Sequence, residues 1–330
     1  MLVLNRAETE SLLEPDALRR AVAAAMAELS AGRASIPART VAHVDQREGF
    51  LAAMPGYLPG LGGLGAKLVS LFPGNAERAT ATHHAVVVMF DDATGAPVAL
   101  LDGSSITAAR TAAASALSTE LLAQPAARTL AILGTGVQAR AHALAVVRTR
   151  PFAEVRIAGR RRERAEALAG ELEALMPCPV VVAGSWSEAC AGADVVCATT
   201  HSPEPVVHRA DLDAGTHVAS VGFTLAGREV DSDTVCAAVL VVESRAAVLA
   251  SPQGSAGSND IRIPIEEGRI GPEHIYAELG ELVAGTVPLP AGAERITLYK
   301  SVGIAAQDIA AARMVLEAAV AAGVGTSVDL

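Results

Sequence analysis

A regular alternation of apolar runs and helix-length segments fills the chain after Pro125 and restricts its fold more than any other feature. Each run is four or five residues long, is rich in Val, Ile and Leu, and ends in small or polar residues. Nearly continuous apolar strands that alternate with helices are typical of a parallel sheet covered on both faces. The pattern therefore predicts a doubly wound α/β domain. The runs are Leu130–Leu133, Val155–Ala158, Val180–Ala183, Val195–Thr199, His217–Val221 and Val239–Glu243.

The first hundred residues have a different pattern, in which strand-like runs follow one another with few helices between them. Because a hairpin-type loop, residues 91–95, joins the last two runs, we predict an antiparallel or mixed sheet here. The glycine-rich segment Gly56–Gly65 predicts a loop. Helices are predicted over residues 15–31, from about Ser104 to Ala123, and over Ala305–Ala322.

Composition excludes several classes of function. The 330 residues suggest about two domains. A formal net charge of −10 and an aromatic content of 3% argue against a nucleic-acid partner. No apolar run approaches the ~20 residues of a membrane span, and the N-terminus lacks the apolar core of a signal peptide. The cysteines are scattered, with no CxxC pair, so we expect reduced thiols in a cytoplasmic protein.

The strongest local motif is Gly134-Thr135-Gly136-Val137-Gln138-Ala139, which follows a predicted strand and opens a helix near Gln138. The first glycine permits a tight turn, and the second lets the backbone approach a pyrophosphate. Ala139 permits close packing of helix on strand, and the helix N-terminus offers free N–H groups to phosphate. Such a motif alone also occurs as a packing turn. The strand-turn-helix context favours dinucleotide binding.

The residues that follow Val155–Ala158, the second predicted strand of the parallel sheet, indicate the cofactor. An NAD site usually has Asp or Glu there to hold the ribose 2′-hydroxyl, whereas this chain has Gly159-Arg160-Arg161-Arg162. Guanidinium groups match a 2′-phosphate. Arg161 and Arg162 also fit the solvated first turn of a helix, so we assign the phosphate contact to Arg160. NADP(H) is favoured, with NAD(H) as the alternative.

A second set of polar residues, Arg39, Lys67, Thr82 and Arg110, precedes the nucleotide motif. Lys67 lies in an apolar strand, where an ammonium group must snorkel, pair or take part in chemistry. Arg110 lies in a helix of small residues, which leaves room for a ligand but also suits close helix packing. Each cation alone is typical of a protein surface; together they would hold a carboxylate.

Metal and thiol chemistry are not predicted. Adjacent residues of a strand face opposite sides, so His83 and His84 do not chelate a metal together. No cysteine has an evident base partner, so a nucleophilic thiol is not expected.

Several ordered motifs resemble the ornithine cyclodeaminase/μ-crystallin family across nearly the whole chain. They begin with Met54-Pro55, the segment from Lys67 to Asn75 and Thr82-His83, and continue with the run from Leu100 to Ala113. The glycine motif, Thr199-Thr200 and the segment from Tyr299 to Asp308 complete the set.

The resemblance implies a split substrate-binding and dimerisation domain, residues 1–120 and 299–330, around a Rossmann NAD(P)-binding domain, residues 121–298. It also implies a homodimer. Members act on amino acids and their imines with a bound nicotinamide cofactor. They include cyclodeaminases, alanine dehydrogenases and reductases of cyclic ketimines such as pyrroline- and piperideine-2-carboxylate.

The resemblance also implies roles for individual residues. The cations Arg39, Lys67 and Arg110 would hold the substrate carboxylate, and Thr82 and Thr111 would lie beside substrate and nicotinamide. The expected cofactor-binding residues are Thr111, Gly134, Thr135, Gly136, Val137, Gln138, Gly159, Arg160, Arg161, Thr199, Thr200 and Ser301.

Departures from the family pattern favour one activity. Cyclodeaminases have a catalytic Asp two residues after a Val-Gly, where this chain has Thr224. Ornithine-binding members place a carboxylate shortly before Met-Pro, where this chain has Ala52-Ala53. We therefore predict an NADPH-dependent reductase of a 2-imino acid or cyclic ketimine carboxylate. Lys67 would donate a proton, its pKa lowered by neighbouring cations, or contact the carboxylate, and Thr224 would bond the imine nitrogen or a relaying water. The alternatives are amino-acid dehydrogenation, residual cyclodeamination and a non-catalytic binding protein.

Overall fold

The computed structural model describes residues 1–78, 80–222, 227–250 and 257–329. The chain divides into two compact units, and the first contains both Met1–Arg110 and the segment from Ile304 to the C-terminus. The second contains Thr111–Pro252 and Gly257–Gly303. The division on the N-terminal side therefore lies inside a helix, ten residues before the predicted boundary at 120.

The elements follow one another along the chain as follows. The strands are β1 (Leu2–Leu4), β2 (Thr40–Val44), β3 (Gly49–Leu58), β4 (Gly63–Leu71), β5 (His83–Phe90), β6 (Pro97–Asp102), β7 (Thr129–Leu133), β8 (Glu154–Ala158), β9 (Val180–Val182), β10 (Val195–Ala198), β11 (His217–Ser220), β12 (Val239–Val242), β13 (Ile275–Glu278), β14 (Thr297–Lys300) and β15 (Thr326–Ser327). The helices are α1 (Arg6–Leu12), α2 (Pro15–Ser30), α3 (Gly103–Leu122), α4 (Val137–Val146), α5 (Arg162–Glu173), α6 (Trp186–Cys190), α7 (Ser232–Ala237), α8 (Arg245–Val248), α9 (Asn259–Glu266), α10 (Leu279–Ala284) and α11 (Ala305–Ala322).

The first unit has a mixed sheet with strand order β15-β1-β6-β5-β4-β3-β2. Its central pairs, from β6 to β2, are antiparallel, and β1 lies parallel to β6. Helix α11 packs on β3, β4 and α2. The antiparallel or mixed sheet predicted from the strand-like runs is therefore present.

The glycine-rich segment Gly56–Gly65 is not the predicted loop. It forms the ends of β3 and β4, joined by a short 3-10 turn at Pro59–Leu61. A Cβ on Gly56 or Gly63 would lie only 2.8 Å from a side-chain carbon of Ile309, in α11. The glycines therefore serve close packing of α11 on the sheet, which is a tertiary requirement rather than a turn signal.

The second unit has a sheet with strand order β13-β12-β14-β11-β10-β7-β8-β9, and all of its pairs are parallel. The predicted doubly wound α/β fold is confirmed. Strand β7 lies between β8 and β10, so the order of the strands reverses at the carboxyl end of β7. Ligands of open α/β sheets bind at such a switch point.

Strand β14 corrects one interpretation of the sequence. The polar segment from Tyr299 to Gly303 is predicted as an approach to the last helix, within residues 299–330 of the substrate-binding domain. The structure instead places Thr297–Lys300 between β11 and β12 of the parallel sheet, fully buried. Lys300 is tolerated there because its ammonium group has a carboxylate and two further acceptors close by.

Candidate active site

A buried charge cluster in the first unit brings together two of the predicted cations. Lys67 projects from β4, and its Nζ lies 2.8 Å from Oδ2 of Asp308, in the first turn of α11. The Nε of Arg110, in α3, donates to Oδ1 of the same carboxylate at 2.9 Å. Arg110 Nη1 also donates to Oε1 of Gln307 at 2.8 Å. The three charged side chains are 0–4% exposed.

Burial and charge set the protonation of this cluster. The pKa of Lys67 is lowered to about 8, first by burial and then by the charges of Arg110 and Arg39, while Asp308 opposes the shift. Burial raises the pKa of Asp308, but Arg110 and Lys67 outweigh it and hold that pKa below its usual value. Near neutral pH the cluster therefore carries more positive than negative charge.

Arg39 and His83 belong to the electrostatic surroundings of Lys67, and Thr82 precedes His83 in the chain. Arg39 is half-buried just before β2, and its charge acts on Lys67. Thr82 immediately precedes β5, and its carbonyl accepts a hydrogen bond from Phe72 N at 2.8 Å. The pKa of His83 is lowered to about 4 by burial and by Lys67 and Arg110, so this imidazole is neutral near neutral pH.

Sequence reasoning missed Asp308 and Gln307 as parts of the site. The available signal was a Gln-Asp pair in the first turn of a helix that otherwise consists mainly of Ala, Val, Ile and Leu. Both side chains are 0% exposed. A buried carboxylate requires a cationic partner, and the two buried cations are nearly 200 residues or more away in sequence.

The glycine motif of the second unit forms the expected strand-turn-helix at the end of β7. Gly134 has a φ of +129°, and a Cβ there would lie 2.5 Å from Thr199 Oγ1, so only glycine fits. Gly136 is the N-cap of α4, and within the described residues no side chain caps this helix. The first-turn N–H groups of α4 are thus available to an anion.

A buried acceptor lies just behind this turn. The Oε1 of Gln138 is buried and has no hydrogen-bond partner among the residues that the structure describes. A buried acceptor of this kind is costly unless a donor is supplied. Together with the uncapped helix N-terminus, it fits a ligand that carries both phosphate and hydroxyl groups.

The arginines after β8 differ in their surroundings. Arg162 pairs with Glu166 at 2.8 Å, one helical turn further on, so it behaves as part of a solvated helix face. Arg160 and Arg161 are exposed, and neither has a salt-bridge partner within the described ranges. Gly159 is in tight contact with the turn, since a Cβ there would lie 2.4 Å from Thr135 Cγ2.

Two of the four cysteines, Cys190 and Cys197, are buried in the second unit. Burial raises the pKa of Cys190 and of Cys197 to about 12, so both remain thiols. In the described part of the chain, no group of three or more His, Cys, Asp or Glu could hold a metal ion. No helix in those residues is long and apolar enough to cross a membrane.

Comparison with known proteins identifies the family. The profile of the ornithine cyclodeaminase/mu-crystallin family matches residues 1–323. The chain belongs to this family. It is 38% identical to ketimine reductase mu-crystallin of Mus musculus over 282 residues, which cover 85% of this chain and 84% of that protein.

Two solved structures are similar to the chain over nearly their full length. Thermococcus litoralis Delta(1)-pyrroline-2-carboxylate reductase, in complex with NADH and L-proline, is 37% identical with a TM-score of 0.95, over 99% of this chain and 100% of that one. An archaeal alanine dehydrogenase dimer with bound NAD is 29% identical with a TM-score of 0.90, over 100% and 99% of the two chains.

Other residues in the family's motifs are held by hydrogen bonds within the second unit, to a backbone carbonyl or to buried carboxylates. Thr199 Oγ1 donates to Leu133 O at 2.9 Å, and Thr200 Oγ1 donates to Glu229 at 2.8 Å. Ser301 Oγ donates to Glu243 at 2.7 Å. Their hydroxyls thus fix the loops at the carboxyl ends of the strands.

Of the two remaining predicted residues, the structure describes Thr111 but not Thr224. Thr111 is 6% exposed and begins the part of α3 that belongs to the second unit. Thr224 lies outside the described residues, and its predicted role stays a prediction.

Proposed function

We propose that this member of the ornithine cyclodeaminase/mu-crystallin family reduces a small imino acid or cyclic ketimine carboxylate with a nicotinamide dinucleotide. The observation that carries this proposal is the buried charge surplus of the first unit. Lys67 and Arg110 share the single carboxylate of Asp308, and the charge of Arg39 acts on Lys67, so a bound carboxylate would bring the cluster towards neutrality. A solved relative with NADH and L-proline supports the same substrate class.

Arg110 anchors the substrate carboxylate in this proposal. Asp308 and Gln307 accept from its Nε and Nη1, and a guanidinium has more N–H donors than these two acceptors use. The two contacts also fix the plane of the group. A fixed guanidinium plane suits paired hydrogen bonds to a carboxylate, and Arg39 adds a second positive charge.

Lys67 supplies the proton in this proposal. With a pKa of about 8 its amine is mostly protonated near neutral pH, yet it gives up its proton more readily than an ordinary lysine. Reduction of an imine adds one hydride to carbon and one proton to nitrogen. An acid held beside the carboxylate anchor can deliver that proton.

The turn after β7 fits a dinucleotide. Gly134 and Gly136 leave room for a pyrophosphate, the first turn of α4 offers N–H groups, and Gln138 Oε1 offers an acceptor to a ribose hydroxyl. When bound, the reduced nicotinamide supplies the hydride. Thr111, Thr199, Thr200 and Ser301 remain proposed members of this site, with Thr135, Val137 and Gly159.

We further propose a preference for NADP(H) over NAD(H). Arg160 and Arg161 are exposed directly after β8, where the ribose 2′-position is read in this fold. A guanidinium there favours a 2′-phosphate, and Val155–Arg162 contains no carboxylate to hold a 2′-hydroxyl.

A homodimer is part of the proposal. Leu51, Leu68 and Val86 lie on one face of adjacent strands β3, β4 and β5 and are 37–47% exposed. An apolar sheet face of this kind is typical of a protein–protein interface, and the alanine dehydrogenase relative is a dimer. We expect the variant Leu68→Glu/Val86→Glu to have half the native mass in light scattering.

An absorbance assay tests the proposed function. NADPH with pyrroline-2-carboxylate should be consumed with formation of proline, and NADPH with pyruvate and ammonia tests the alanine dehydrogenase alternative. Ornithine with NAD(P) should release no ammonia, because a threonine hydroxyl at position 224 cannot act as a carboxylate base does near neutral pH. Ammonia release from ornithine at a rate that matches imine reduction would contradict the proposal.

A further inference from the structure

We propose that Asp308 is a positioning residue for imine reduction, whose two carboxylate oxygens hold Lys67 as proton donor and Arg110 as substrate anchor in a fixed relation. This inference rests on the proposed function and adds a residue to its machinery. Asp308 itself need not contact substrate or cofactor.

The geometry of the cluster supports these separate roles for Lys67, Arg110 and Asp308. Each carboxylate oxygen of Asp308 serves one cation, Oδ2 for Lys67 Nζ at 2.8 Å and Oδ1 for Arg110 Nε at 2.9 Å. The neighbouring Gln307 accepts from Arg110 Nη1, and its Nε2 contacts Met26 Sδ of α2 at 3.6 Å. Side chains from β4, α3 and α2 thus meet at the first turn of α11.

Electrostatics make Asp308 the group that keeps Lys67 charged. Burial, Arg110 on α3 and Arg39 before β2 all favour the neutral amine. His83 on β5 gives no opposing charge, because its imidazole is neutral near neutral pH. Among these groups Asp308 alone raises the pKa of Lys67, so the amine depends on it to remain an acid.

The small number of lysines allows the protonation of Lys67 to be measured directly. The sequence has only two lysines, Lys67 and Lys300. Labelling with 13Cε-lysine therefore gives two side-chain NMR signals, and Lys300→Arg identifies which is which. The Lys67 signal reports protonation of its amine without any need for substrate or cofactor.

Asp308→Asn is the decisive variant. Its amide can still accept from Arg110 but offers N–H groups to Lys67, so a neutral amine becomes the better partner. We expect the midpoint of the Lys67 titration to fall by about 1–3 pH units and the alkaline limb of kcat to move with it. The KM should rise about 10- to 100-fold, since the anchor loses a charged hydrogen bond. The matched control, Glu317→Gln, removes an exposed carboxylate of the same helix that also pairs with an arginine. It should change neither the Lys67 midpoint nor KM nor the pH profile of kcat.

Asp308→Glu separates charge from position and decides the claim if Asp308→Asn does not fold. The charge is kept, so the Lys67 midpoint should stay near its native value, while the longer side chain displaces both cations and raises KM. An unchanged KM and kcat in Asp308→Glu, or an unchanged Lys67 midpoint in folded Asp308→Asn, would overturn the inference. If the native protein reduces no imine but the midpoint still falls in Asp308→Asn, the proposed function fails while the control of Lys67 by Asp308 stands.

Discussion

The two lysines of this chain are both buried in ion pairs, one in each unit, yet their surroundings differ. Lys67 shares the carboxylate of Asp308 with Arg110, so positive charge is in excess. Lys300 has three acceptors within 2.9 Å, namely Asp260 Oδ2, Ser220 Oγ and Gly222 O. An ammonium has three N–H donors, so Lys300 is fully satisfied by the protein.

The carboxylate opposite Lys300 is equally well satisfied. Asp260 also accepts from the backbone N–H groups of Glu229 and Val230 and from Ser258 Oγ. Burial raises its pKa, but Lys300 and these hydrogen bonds outweigh burial and keep that pKa below its usual value. Such a network holds loops of the scaffold in place, whereas an unbalanced cluster can gain energy from an anionic ligand. This difference is the basis for the proposal that Lys67 is functional and Lys300 is structural.

The loss of unfolding free energy on replacement should differ most strongly between the two lysines. Lys300→Met leaves Asp260 buried without its cation and should lower the free energy of unfolding by about 3–5 kcal/mol. Lys67→Met should cost much less, because Asp308 keeps Arg110. Denaturant unfolding of both variants measures the contrast, and equal losses would mean that the cluster around Lys67 is structural as well.

Loss of the anchor should affect catalysis rather than cofactor binding. Arg110→Ala should reduce kcat/KM for imine reduction roughly 30- to 1,000-fold, which corresponds to a loss of transition-state stabilisation of about 2–4 kcal/mol. The dissociation constant of NADPH, from nicotinamide fluorescence, should barely change. A collapse of NADPH affinity with turnover preserved at saturating cofactor would assign Arg110 to the cofactor site instead.

The activity of the native enzyme should depend on pH through Lys67. Below a pH of about 8 the amine carries its proton, so reduction proceeds, and above it the rate should fall by up to tenfold per unit. For stability the sign is opposite. The folded pKa is lower than the usual 10.5, so the unfolded chain binds more protons between these values, and the contribution of Lys67 to stability rises with pH over that window. Rate profiles at saturating cofactor check the first statement, and unfolding at several pH values checks the second.

The smallest expected effect concerns the choice of cofactor. Arg160→Asp should weaken the binding of NADPH about tenfold or more, since it removes one charge-assisted contact and adds a repulsive charge. NADH should be affected much less. The matched variant Arg162→Asp alters a side chain already paired with Glu166 and should leave the ratio nearly unchanged. Equal affinities for the two cofactors in the native protein would contradict the proposed NADP(H) preference.

Local patterns in the sequence predicted much of the fold. Six of the eight strands of the parallel sheet, β7 to β12, follow from their apolar runs. Helix α11 begins and ends at the predicted Ala305 and Ala322, because Gly323 provides a left-handed C-cap. Features that depend on distant partners were missed. Strand β14 carries Lys300, whose burial requires Asp260 on α9, and no local pattern reveals such a pair.

The same limit applies to the candidate site. Lys67 and Arg110 stand out because cations among apolar or small residues need a reason, so the sequence could identify them. Asp308 is likewise a charged residue in an Ala-rich helix, but its pairing with both cations is visible only when β4 and α3 meet α11 in space. The cause of the lowered pKa of Lys67 also required the structure, since burial, rather than neighbouring cations alone, is the largest contribution.

Isotope transfer tests the central claim most directly. The native enzyme, supplied with pyrroline-2-carboxylate and NADPH that carries deuterium in the transferable position of the nicotinamide, should form proline with deuterium at Cα. Lys67→Met, which retains the cofactor turn, should form little of it while still binding NADPH. Mass spectrometry of the product gives the answer. Two results would contradict the account. One is proline without deuterium, and the other is no proline from pyrroline-2-carboxylate while ornithine yields ammonia.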